Sequence, residues 1–86
     1  MLENLKVLNL NNNSIEKIQG LDSLVNSLET LNLSENKIQR IDGISDLRTM
    51  RVLNLKNNLI SNFEGLNNLL SLKELDLTNN RISKIA

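Results

Sequence analysis

The chain contains no cysteine, no histidine, no tryptophan and no tyrosine. Without cysteine there is no disulfide and no thiol nucleophile, and without histidine the imidazole base and most zinc sites go too. Phe63 is the sole aromatic residue, so a core has to be assembled from 19 leucines and 8 isoleucines. Excess charge is missing as well: ten basic residues balance ten acidic ones. The basic footprint of a nucleic-acid binder is therefore absent, and a membrane-surface role loses its simplest argument. No apolar run approaches the roughly 20 residues of a membrane span. The opening MLENLKVLNL has neither the basic segment nor the continuous apolar stretch of a signal peptide. These absences make a cytoplasmic protein the expectation, with nuclear, ciliary or cytoskeletal placement as variants. At 86 residues the chain is read as one small domain, 1–86.

What remains is leucine, isoleucine and sixteen asparagines, arranged with a period. Aligned on one asparagine, the copies read LKVLNLNNNSIEKIQGLDSL from Leu5, LETLNLSENKIQRIDGISDL from Leu28, MRVLNLKNNLISNFEGLNNL from Met50 and LKELDLTNNRISKIA from Leu72. The anchors Asn13, Asn36, Asn58 and Asn80 stand 23, 22 and 22 residues apart. This gives repeats at about 5–27, 28–49, 50–71 and an incomplete 72–86. The extra residue of the first repeat falls between Leu24 and Leu28, in a loop expected to absorb it without disturbing strand phase downstream.

Each copy fits L-x-x-L-x-L-x-x-N-x-I-x-x-I-x-G-L-x-x-L, and all 26 framework positions are apolar, which excludes a chance pattern. The LxL part alternates with period two, the mark of a short strand with one buried face. The IxxIxGLxxL part steps by three, which suits a helical or 3₁₀ turn with one side inward. Gly20, Gly43 and Gly65, the only glycines, share one position, as expected for a bend that needs positive φ or close backbone approach.

This pattern resembles the leucine-rich repeat family throughout the 86 residues. The period, with IxxIxGL after the asparagine, most resembles the 22-residue class typified by the repeat-built regulatory subunit of protein phosphatase 1, which is also found in ciliary and centrosomal proteins. Bacterial internalins share the period but usually carry proline where this proline-free chain has Gly20, Gly43 and Gly65. They rank second on that ground. The implied fold is an α/β repeat solenoid: a right-handed curved array with a short parallel sheet on the concave face and 3₁₀ or short helical turns on the convex face.

In such an array Leu8, Leu31, Leu53 and Leu75 form one buried column, and Leu10, Leu33, Leu55 and Leu77 another. Asn13, Asn36, Asn58 and Asn80 are expected to form a buried ladder, because an amide side chain both donates to and accepts from the backbone leaving the strand. Residues between the framework leucines face outward. Asn9, Asn32, Asn54 and Asp76 make the central column, flanked on one side by Val7, Thr30, Val52 and Glu74. On the other lie Asn11, Ser34, Lys56 and Thr78, then Asn12, Glu35, Asn57 and Asn79 at the rim. Among these, Val7, Asn9, Asn11, Thr30, Asn32, Ser34, Glu35, Val52, Asn54, Lys56, Glu74, Asp76 and Thr78 are the candidate partner-binding residues, set against a solvated surface with no role. The columns hold none of the Trp, Tyr or Arg that dominate binding hot spots, apart from Arg51 at a strand start.

Catalysis has little to stand on. Glu74 and Asp76 are two carboxylates with no partner acid, metal set or pocket specified by sequence, so no catalytic, metal or cofactor residue is assigned. The sequons at Asn12 and Asn32 read as accidents of an asparagine-rich chain. The chain opens with the tail of a repeat and stops where other copies continue with glycine. This predicts either a piece of a longer array or ends covered by another copy. The expected function is a non-enzymatic protein–protein interaction module acting as a regulatory subunit or scaffold. Its alternatives are a purely structural segment and an internalin-like adhesin repeat.

Overall fold

Alternating leucines close together the strands they predict. The computed structural model describes residues 4–44, 46–61, 64–66 and 69–82. Four strands, β1 (Val7–Asn9), β2 (Thr30–Asn32), β3 (Val52–Asn54) and β4 (Glu74–Asp76), form one parallel sheet in chain order. The register pairs Leu8 with Leu31, Leu31 with Leu53 and Leu53 with Leu75, so equivalent residues of successive repeats lie side by side. The molecule is a repeat solenoid of 38 × 27 × 18 Å.

The strands are three residues long, yet pairing continues past them. Leu10 N–H donates to Asn32 O at 2.8 Å and Asn12 N–H to Ser34 O at 2.9 Å. The same two bonds recur from Leu33 and Glu35, and again from Leu55 and Asn57, to the following repeat. Further along, Lys37 N–H reaches back to Ile15 O, Leu59 N–H to Ile38 O and Arg81 N–H to Ile60 O. Each coil is therefore tied to the next well beyond its strand, which satisfies backbone groups that would otherwise be buried unpaired.

The core sits in the central repeats. Leu28, Leu31, Leu33, Ile38, Ile44, Leu47, Met50, Leu53, Leu55 and Ile60 are all but inaccessible. The leucine columns are not buried along their full length, as the sequence suggested. Leu8, Leu10 and Leu77 are half-buried, and Leu75 is 40% exposed. The reason is geometric: a solenoid leucine is covered by a neighbour on each side, and β1 and β4 each pair with one strand only among the described residues. The framework positions Leu2, Phe63 and Ile85 lie outside the described residues.

Opposite the sheet, the helical expectation is met in reduced form. A 3₁₀ helix spans Asp22–Leu24, and the other described repeats make single turns there. All three use the same bond, from Leu24 N–H to Leu21 O, Leu47 N–H to Ile44 O and Leu69 N–H to Leu66 O, at 3.0 to 3.2 Å. The inserted residue is visible at the next bond. Met50 and Leu72 close on the residue three earlier, Leu47 and Leu69, whereas Leu28 closes on Leu24, four earlier. One wider turn takes up the extra length, and β2 enters the sheet in register.

Gly20, Gly43 and Gly65 have φ of 79°, 78° and 100°. Two of them carry a second constraint: a Cβ on Gly43 would stand 2.2 Å from Ile18 O, and one on Gly65 would stand 1.8 Å from Ile41 O. A Cβ on Gly20 would meet nothing within 4 Å. Proline, locked near φ −65°, cannot take this backbone. Glycine at the three positions is thus a conformational requirement of this chain.

Candidate functional site

The outward columns of the sheet converge on one face, and hydrogen bonds divide their residues into kinds. In the central column each Oδ1 accepts the N–H two residues on: Asn11 to Asn9 at 3.1 Å, Ser34 to Asn32 and Lys56 to Asn54 at 3.0 Å, and Thr78 to Asp76 at 2.9 Å. This is an Asx turn repeated in every coil, and it ends each strand at the same point. The sequence reading of these residues as freely chosen outward positions is therefore corrected: the column requires a side-chain oxygen. The signal was present, since only Asn and Asp occur there, the two residues that close that turn best.

The bond uses one end of the amide. Among the described residues, the Nδ2 groups of Asn9, Asn32 and Asn54 have no acceptor within the chain. Three amide donors therefore stand in a row at the strand spacing, about 4.8 Å apart, with their side chains held by the turn. Asp76 ends the row with a carboxylate. The hydroxyl and N–H of Thr78 hold its pKa below the ordinary 3.8, helped by the Lys56 charge, so it is ionised at neutral pH.

The rim shows a second repeated feature that sequence reasoning missed. Asn12, Glu35, Asn57 and Asn79 all have left-handed backbone, with φ of 60°, 57°, 60° and 59°. Asparagine tolerates this region better than other non-glycine residues, which accounts for three of the four. Asparagine at the same place in repeat after repeat was the available clue.

Behind the face runs the other asparagine column. Asn58 Oδ1 accepts from Ile38 N–H at 3.0 Å, while its Nδ2 donates to Leu33 O at 2.9 Å, Leu55 O at 3.1 Å and Lys56 O at 3.3 Å. Asn36 binds Ile15 N–H and the carbonyls of Leu10, Leu33 and Ser34 in the same way. Asn80 repeats the set with Ile60, Leu55, Leu77 and Thr78. Asn13 departs from the burial expected for the ladder. It is exposed, and its amide donates only within its own repeat, to Leu10 O and Asn11 O.

Of the candidate binding residues, Val7, Asn9, Asn11, Glu35, Lys56, Glu74 and Thr78 are exposed, and Thr30, Asn32, Val52, Asn54 and Asp76 are half-buried. Val7 is the most accessible apolar residue of the face, at 61%. Ser34 is withdrawn from it: at 7% exposure it is buried, with its carbonyl bonded by Asn12 N–H and the Asn36 amide. It supports the exit of the strand and is not offered to a partner. Among the described residues no group of three His, Cys, Asp or Glu is arranged to hold a metal ion, and no helix is long and apolar enough to cross a membrane.

Comparison with known proteins matches the features just described. A family model of paired leucine-rich repeats matches residues 3–48 and again 26–68, and a single-repeat model of the same kind matches 71–86. No curated protein matches the chain. Solved structures that resemble it include internalin C2 of Listeria monocytogenes, 32% identical with a TM-score of 0.85 over 99% of this chain. An internalin (inlF) of the same organism is 35% identical, again with a TM-score of 0.85, over 98% of this chain. The chain spans only 37% and 24% of the lengths of these two proteins. Residues 3–68 and 71–86 together take in nearly all of the sequence, and the chain belongs to the leucine-rich repeat family.

Proposed function

We propose that this chain is a protein-recognition module that meets its partner with the sheet face. The observation that supports this most directly is the row of Asn9, Asn32 and Asn54. Their oxygens are committed to the fold and, among the described residues, their amide nitrogens have no acceptor. Donors fixed in advance lose little entropy on binding, which is the advantage of a preorganised surface. Asp76 supplies the means of testing this, because it closes the same turn without an amide. Asn32→Asp combined with Asn54→Asp retains both turns and replaces two donors by acceptors. The double variant should melt with the wild type and lose the partner. Binding at wild-type strength would rule out the face, and would favour a segment that only spaces a larger protein.

Two finer readings follow. An internalin-like role in a bacterial surface protein is supported by the 32% and 35% identities. A regulator of the phosphatase-subunit type, cytoplasmic and acting as a scaffold, is supported by the repeat motif with its glycine bend. Fractionation of the source cells separates the two, since the first requires the chain outside the cytoplasm and the second requires a phosphatase catalytic subunit in the captured complex. Self-association through the repeat flanks is a further possibility, supported by a hollow of about 530 Å³ beside Leu10, Ile15, Ile18 and Leu21. A monomer in light scattering at high concentration removes it.

A further inference from the structure

One rung of the asparagine ladder uses only part of its amide. Asn13 Nδ2 donates to Leu10 O and Asn11 O of its own coil, as Asn36 and Asn80 do in theirs. The later rungs also reach the preceding coil, where each oxygen accepts an isoleucine N–H and each nitrogen donates to a leucine carbonyl. Among the described residues Asn13 does neither. The groups able to complete it stand at the other end of the molecule. Ile60 N–H and Leu55 O fill these roles for Asn80, and Ile82 and Leu77 are their equivalents one coil further on.

The main chain is matched in the same way. Between the last two coils Leu55 N–H donates to Asp76 O and Asn57 N–H to Thr78 O, while Lys73 and Glu74 donate back to Arg51 O. Leu77 and Asn79 repeat Leu55 and Asn57, and among the described residues their N–H groups have no acceptor. At the first coil, Asn9 and Asn11 are the equivalents of the accepting residues, and Lys6 and Val7 of the donating ones. Each end of the array thus carries one half of a junction that the chain builds three times between its own coils. The apolar parts agree. Leu75 is exposed and Leu77 and Ile82 are half-buried at one end, and the hollow beside Leu10, Ile15 and Ile18 lies at the other.

Resting on the self-association reading of the repeat flanks, we propose that the chain binds a second copy of itself end on, β4 of one copy pairing with β1 of the next in the register used inside the molecule. Leu75 then lies beside Leu8 of the next copy, Glu74 beside its Val7 and Asp76 beside its Asn9. Among the described residues one like-charged pair arises, Lys73 beside Lys6 of the next copy, and the chain already accommodates Arg51 beside Lys73. A head-to-tail interface leaves an unused half at each end, so the assembly grows as an open array. The sheet face is lengthened by four strands with every copy added.

Sedimentation velocity of the 86-residue chain over a concentration series should show species that grow with concentration and reach no closed size. Val7 tests the register, because it is exposed on an edge strand and lies beside Thr30 within its own chain. Val7→Lys, which faces Glu74 of the preceding copy, should tighten association roughly threefold, and Val7→Glu should weaken it by a similar factor. Adding Glu74→Lys to Val7→Glu should restore it. Circular dichroism in dilute solution confirms that each variant is folded. A closed dimer, a shift in the same direction from Val7→Lys and Val7→Glu, or no rescue by Glu74→Lys overturns the head-to-tail register and leaves self-association standing. A monomer at every concentration overturns both.

Discussion

Two columns of asparagine run through the molecule four residues apart, and they are asparagine for different reasons. The ladder of Asn36, Asn58 and Asn80 works between repeats: each amide spends its nitrogen and its oxygen on the backbone of two coils. The column of Asn9, Asn32 and Asn54 works within a repeat, and the fold uses only its oxygen. The sequence records the difference. Aspartate enters the second column at Asp76 and never enters the first. A side chain needed at both ends has no substitute, and one needed at a single end leaves the other free for a partner.

The largest effect should come from making the same change in both columns. Asn58→Asp removes the donor of three hydrogen bonds and points a carboxylate at three carbonyls, costing about 3 kcal/mol or more. Asn54→Asp retains its turn and should cost under about 0.5 kcal/mol. Urea denaturation of the two variants decides the point, and equal losses would erase the distinction between the columns.

Next in size is the glycine bend, which also has a between-repeat and a within-repeat form. Alanine at Gly43 or Gly65 meets both a left-handed backbone and a carbonyl of the preceding coil, and should cost about 2 to 4 kcal/mol. Gly20→Ala meets only the backbone and should cost about 1 kcal/mol. Thermal melting of the three variants should rank Gly20→Ala nearest the wild type.

A smaller contrast lies inside the ladder. Asn36→Ala leaves buried backbone groups unpaired at about 2 kcal/mol, whereas Asn13→Ala, in an exposed rung bonded only to its own repeat, should cost under about 1 kcal/mol. Amide exchange at Ile15 and Lys37 in the two variants offers a local readout beside the global one.

The smallest effect is titration. The Asp76 carboxyl is held below its ordinary 3.8 by Thr78, and secondarily by Lys56. A depressed folded-state pKa contributes stability that is fully present above the unfolded value, and that is lost as pH falls through the folded one. Asp76→Asn should therefore flatten the stability profile below about pH 3.8 and leave its slope near pH 7 unchanged.

Most of this solenoid was legible in its repeats. Period-two leucines gave the strands, and the equal spacing of Leu31, Leu53 and Leu75 gave a parallel register, because identical pleats stack only in phase. The extra residue between Leu24 and Leu28 showed which loop changes length. Three things were hidden for physical reasons. Outward Asn9, Asn32 and Asn54 look like solubility choices until the turn they close is seen. The left-handed rim is a backbone property, visible in sequence only as a preference for asparagine, and Glu35 obscures it. The exposure of Leu75 depends on how many neighbours a coil has, which no single repeat records.

The wide turn at Leu24 to Leu28 also bears on how such a chain changes over generations. A residue gained in a strand would move the later leucines of that strand to the wrong face. A residue gained opposite the sheet is absorbed within one turn, and the next coil begins unchanged. Length drift is thereby confined to the convex wall, while the concave wall keeps its register through insertion and can change only by substitution. A lineage built on this coil can lengthen, decorate or shorten its back without disturbing the sheet face.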